Sequence, residues 1–118
     1  FRRVLFRSAR VATAQAEAIE VQSQLILERD RIQADQRGAA SRVEAARIQL
    51  DAAQRRAKLA RESRGFFDKS FRLGETDLPT RLRIEAEAVE AERQEARSRI
   101  DLATAISAWR QSLGLLPQ

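Results

Sequence analysis

Nine residues spaced seven apart are all apolar in this chain: Val11, Ala18, Leu25, Ile32, Ala39, Ala46, Ala53, Ala60 and Phe67. An unbroken period of seven over that length is the mark of a helix with one face against other helices. Strands alternate with period two and cannot use it. The companion seam is less regular. Ala14 and Val21 begin it, Glu28 and Asp35 interrupt it, and it resumes one residue out of step as Val43, Leu50, Ala57 and Phe71. Such a shift changes the neighbour the helix faces, so one partner does not serve its whole length. Gly38 lies near the change and costs up to about 1 kcal/mol against Ala. It reads as a bend, a close helix contact or a tolerated surface glycine. Gly65 is similar, beside the Phe66, Phe67 and Phe71 cluster, whose helical spacing suits a lock below the tip of a hairpin.

The long helical pattern stops at one place. In Ser70-Phe71-Arg72-Leu73-Gly74-Glu75-Thr76-Asp77-Leu78-Pro79, Gly74 is the residue type that accepts a left-handed C-terminal cap. Thr76 and Asp77 are N-cap types, and Pro79 falls in a first helical turn, where its missing N–H costs nothing. The stretch reads as helix stop, loop, helix start. The spacing predicts a helix over about 9–72, a tip at 73–76 and a second helix over about 77–113, stopped by Gly114 and Pro117. The fold expected is all-α: a long antiparallel helical hairpin with unequal arms.

The second helix carries two apolar stripes. One holds Leu82, Ala86, Val89, Ala96, Ile100 and Ala103; the other holds Ile84, Ala88, Ala91, Leu102, Ala105, Trp109 and Leu113. A simple two-helix hairpin needs one stripe, whereas a stave in a ring of helices needs one on each flank. At about 1.5 Å per residue the arms would span about 95 and 55 Å. Val11 to Ile32 must therefore find partners other than the second helix.

Composition narrows the function classes. Cys, His and Met are absent, which excludes Ser–His and Cys–His nucleophilic arrangements within the chain and the usual soft or imidazole metal ligands. No catalytic, cofactor or metal-binding residues are assigned, and no enzymatic activity is expected. Carboxylate pairs such as Glu85/Glu87 and Glu90/Glu92 lie among arginines and read as solvated helix faces. A net charge of +5 raises nucleic acid as a partner, but Arg and Glu alternate instead of forming a basic stripe, so i,i+4 pairing is preferred and nucleic acid is not expected. No apolar run reaches the ~18 residues of a membrane-spanning helix. Residue 1 is Phe, and the chain reads as a piece of something longer. Residues 1–8 do not continue the pattern that follows and read as the end of a strand or a scar.

One resemblance goes beyond composition. A long Ala-rich helix ending in Phe71-Arg72-Leu73-Gly74-Glu75-Thr76-Asp77-Leu78-Pro79, then a shorter helix closing on Trp109-Arg110-Gln111-Ser112-Leu113-Gly114-Leu115-Leu116-Pro117, resembles the C-terminal repeat of TolC-type outer membrane efflux proteins. Within them it is most similar to the heavy-metal branch partnered with resistance-nodulation-division pumps. The resemblance covers residues 9–118 and implies a homotrimer whose protomers give helices to a periplasmic α-barrel. That barrel would continue into outer-membrane strands not contained in this chain. It implies that Arg72, Leu73, Gly74, Glu75, Thr76, Asp77 and Leu78 form the tip that contacts a periplasmic adaptor protein, itself joined to an inner-membrane pump. The chain departs from the family at the aperture: the acidic residues six and nine positions after the tip glycine are Thr80 and Arg83 here.

The function expected is that of a periplasmic helical-hairpin segment of an outer membrane channel in a tripartite efflux pump, exporting metal or small molecules. The alternatives are the hairpin of a periplasmic adaptor protein, whose arms should be nearly equal and lead into β-rich sequence, and a soluble coiled-coil scaffold.

Overall fold

The computed structural model describes residues 1–115. Two helices, α1 (Arg2–Arg72) and α2 (Leu78–Ser112), account for nearly all of them. The chain divides into two units, Phe1–Arg37 and the part from Gly38 onward.

The first unit is the leading part of α1 alone. Helix begins at Arg2, so residues 2–8 are helical and not the end of a strand. The reason is local: no Gly or Pro interrupts Arg2 to Arg37, and unbranched and alanine residues dominate. The heptad residues here stay in contact with solvent, Val11 being 53% and Leu25 65% exposed.

The second unit is an antiparallel hairpin of the remainder of α1 with α2. Its buried residues are Ala39, Val43, Ala46, Ala53 and Ala57 on α1 and Ile84, Ala88 and Ala91 on α2. Six of these eight are alanine, so the helices approach closely and the seam is thin. A buried methyl contributes about 0.8 kcal/mol, against about 1.5–3 kcal/mol for a whole Leu or Ile side chain. Length, not depth, supplies the burial.

The seam follows the predicted spacing. Ala39, Ala46 and Ala53 are buried and Ala60 and Phe67 half-buried; in the companion row Val43 and Ala57 are buried and Leu50 and Phe71 half-buried. Arg64 fills the remaining position of that row. Its aliphatic stem takes a seam place while its guanidinium reaches Glu92 at 3.0 Å and Glu85 at 3.7 Å. On α2 the stripe of Ile84, Ala88, Ala91, Leu102, Ala105 and Trp109 turns inward, with Leu113 exposed at its end. The other stripe, Leu82 to Ala103, is exposed throughout.

Cross-helix pairs set the register. Asp68 bonds Arg81 at 2.8 Å, Arg56 donates to Gln94 at 2.8 Å, and Arg61 reaches Glu95 at 3.4 Å. The charged pairs occupy one face of the hairpin; Arg56 and Gln94 border the other, a groove shared with Leu59 and Glu87. Gly38 is helical and half-buried, and Gly65 is helical and exposed. Neither ends a helix. A Cβ added at Gly65 would meet nothing within 4 Å, and one at Gly38 only the Arg42 guanidinium at 3.5 Å, an ordinary contact.

α2 stops as α1 does. Gly114 has φ +76°, its N–H bonds the Gln111 carbonyl, and the Leu115 N–H bonds the Arg110 carbonyl. Pro117, the second expected stop, lies outside the described residues.

Candidate functional site

The tip is built by two complementary caps. At the end of α1 the Gly74 N–H donates to the Phe71 carbonyl at 3.0 Å, and the Glu75 N–H to the Ser70 carbonyl at 2.9 Å. These are the two bonds of a Schellman cap, and they require a left-handed residue between them. Gly74 supplies it at φ +77°. At the start of α2 the Asp77 carboxylate accepts from the Thr80 N–H at 2.9 Å, satisfying one of the free donors of the first turn. Pro79 stands inside that turn.

Thr76, the other N-cap type, has a different task. Its hydroxyl is hydrogen-bonded to that of Ser70, tying the loop back to the last turn of α1. Asp77 titrates below its ordinary value of 3.8 because the Thr80 side chain, and after it the Thr80 backbone N–H, bond its ionised form.

Beneath the loop lies a clamp. Asp68 holds Arg72 at 3.0 Å on its own helix and Arg81 at 2.8 Å across the seam. The Arg81 guanidinium also lies 4.7 Å from the centroid of the Phe71 ring, a cation–π distance. Lys69 and Arg72, in the last turn, complement the negative end of the α1 dipole. The aromatic cluster divides in two. Phe67 and Phe71 are half-buried, as a lock requires, whereas Phe66 turns outward at 67% exposure and meets Phe67 edge to face at 5.3 Å.

The seven candidate residues fall into two groups. Arg72, Gly74, Thr76 and Asp77 shape the loop through the ion pair, the positive φ, the hydroxyl bond and the cap. Leu73, 74% exposed, and Leu78, 49% exposed, present apolar surface outward with Glu75 exposed between them. Asp68, Arg81, Ser70 and Thr80 support this tip and do not belong to the candidate set. Only the i,i+4 spacing of Asp68 and Arg72 was a sequence signal for them; the Arg81 contacts depend on the register between helices.

Thr80 and Arg83 are engaged locally: Thr80 donates to Asp77, and Arg83 pairs with Glu87 at 2.9 Å. Of the carboxylates read as solvated faces, Glu85 and Glu92 pair with Arg64. Among the described residues no group of three or more acidic side chains is placed to hold a metal ion, and no helix is long and apolar enough to cross a membrane. No family model, curated protein or solved structure matches this chain.

Proposed function

We propose that this chain is a periplasmic helical-hairpin segment of an outer membrane efflux duct, whose tip receives the end of an adaptor protein. The observation that carries the reading is the tip itself. Leu73 and Leu78 are exposed at the end of a hairpin whose loop is capped on both sides and clamped from below. The resemblance of the Phe71–Pro79 stretch to the heavy-metal branch supports the same reading. It makes the working protein a homotrimer in the outer membrane, joined through the adaptor to an inner-membrane pump, with metal or small-molecule cargo.

The adaptor-hairpin alternative fits less well. α2 has 35 residues and ends in its own glycine cap, whereas α1 has 71. Adaptor arms would be nearly equal.

The test is made in the full-length protein that contains this segment. Leu73→Ala with Leu78→Ala removes apolar surface without touching Gly74, Thr76 or the Asp77 cap. Normal outer-membrane trimers with lost export and lost adaptor crosslinking are expected. Trimers that export and crosslink like the parent would reduce the tip to a turn. Gly74 is the poorer target, because any side chain at φ +77° is strained even though a Cβ there would meet nothing within 4 Å.

A further inference from the structure

α2 carries two apolar stripes, and the hairpin buries one of them. Through Trp109 each stripe holds three large apolar residues and three alanines, so apolar content separates them only by the size of the Trp109 ring. Yet the Ile84 stripe turns inward and the Leu82 stripe outward, Ile84 being 7% and Leu82 58% exposed. Something besides apolar area sets the rotation of α2.

The stripes differ in the charge they contain. Between Leu82 and Trp109 one charged residue interrupts each of them at a spacing of seven. In the inward stripe it is an acid, in the row Ala88, Glu95 and Leu102; in the outward stripe it is a base, in the row Ala86, Arg93 and Ile100. Glu95 takes its seam position with 16% of its side chain exposed, held by Arg99 at 3.0 Å on its own helix and by Arg61 of α1 at 3.4 Å. Arg93 is exposed. Two residues along a helix amount to about 3 Å in height and, by the shorter way, about 160° in direction. Turning α2 to bury the outward stripe would set Arg93 near the height Glu95 now holds, against α1. The α1 side chains that reach α2's acids there are basic: Arg61, and Arg64 with its partners Glu85 and Glu92.

We infer that the sign of this one seam residue selects the face α2 buries: Glu95 favours the observed rotation by meeting Arg61, and Arg93 opposes the other by bringing a like charge to the same place. A lone polar residue among apolar core positions specifies one helix arrangement at some cost in stability. Attraction in one arrangement and repulsion in the other act in the same direction. A partly screened pair thereby decides between two surfaces of similar apolar content. The device is internal to the hairpin and independent of the tip and of export.

The chain has no cysteine, so one introduced thiol at a time reports which stripe is covered. Ala91, 5% exposed, lies in the inward stripe, and Ala96, exposed, in the outward one. In the otherwise unchanged chain the Ala91→Cys thiol should react with iodoacetamide about tenfold more slowly than the Ala96→Cys thiol, because a buried site reacts only on opening. Arg93→Glu then places an acid on both stripes. A fixed α2 would leave the rates alone, since Arg93 is exposed. The Ala91→Cys thiol should instead react roughly two- to fivefold faster with helicity by circular dichroism retained, the change an exposed ion pair supplies. The exchange of Arg93→Glu with Glu95→Arg should invert the order, the Ala96→Cys thiol becoming the slower. Slowing at Ala96 distinguishes rotation from loosening, which would speed both sites. Equal rates in the starting chain, an Ala91→Cys rate untouched by Arg93→Glu, or an exchange chain whose Ala96→Cys thiol is not slowed each overturn the inference. None of these results bears on the Leu73 and Leu78 variants, so the selection of the stripe and the export reading fail separately.

Discussion

Arg81 of α2 spans the seam to Asp68 of α1, with Nη2 2.8 Å from Oδ1. The same guanidinium covers the Phe71 ring, so one side chain joins the helices by charge and by stacking. Both partners retain some exposure, 40% for the Arg81 side chain and 30% for that of Asp68, and solvent screens the pair. Arg81→Ala should cost about 1–2 kcal/mol of hairpin stability, the sum of a partly exposed ion pair and one cation–π contact. Arg81→Lys should recover about half by keeping charge without the planar stack. Urea unfolding followed by circular dichroism measures both, and equal losses for the two variants would exclude the stacking.

Close approach at the alanine seam is a second expectation. Ala57 and Ala88 are wholly inaccessible to solvent. Ala57→Leu inserts three heavy atoms where the helices touch and should destabilise by about 1–3 kcal/mol despite the added hydrophobicity. Leu59→Ala, at a residue 65% exposed, supplies the comparison: it should change stability by less than about 0.5 kcal/mol. Urea unfolding reads both variants. A stabilised Ala57→Leu variant would mean that the seam is looser than described.

Acid should loosen the hairpin in a defined window. Asp77 lies below its ordinary 3.8 through the Thr80 bonds, and Glu95 below its ordinary 4.5, chiefly through the Arg99 hydrogen bond with Arg61 adding to it. Carboxylates depressed by folding contribute stability that is complete above their unfolded pKa and lost as pH falls through the folded one. The thermal midpoint should hold steady from neutral pH to about 5 and then fall below about 4.5. Asp77→Asn with Glu95→Gln should flatten that fall. An unchanged slope in the double variant would assign it to other carboxylates.

Metal selection should not reside in this segment. Cys, His and Met are absent, and the described carboxylates form no cluster. Titration calorimetry with zinc or copper should show no stoichiometric submicromolar site, since dispersed carboxylates bind such ions weakly. A tight site would overturn that expectation.

The hairpin was legible in the chain because its signals are local. A period of seven needs only the sequence to be counted. Gly74 announces a positive φ and Asp77 a cap through their own covalent structure, and both perform those tasks. Phe66 shows where local reasoning ends: its spacing from Phe67 and Phe71 suits a buried cluster, yet it faces outward, because a one-residue offset on a helix turns a side chain by about 100°. Arg64 shows the converse, a charged residue in a seam position that a search for apolar periodicity passes over. The start of α1 was missed as well, since a break in heptad pattern is no break in helix propensity. What the sequence by itself determined was the identity of the helices and the place where the chain reverses, because propensity, caps and period act over a few residues. Which of the two α2 stripes is buried and which charges meet across the seam were decided only by tertiary structure. Those depend on the rotation and register of one helix against another, and many side chains far apart in the chain set them together.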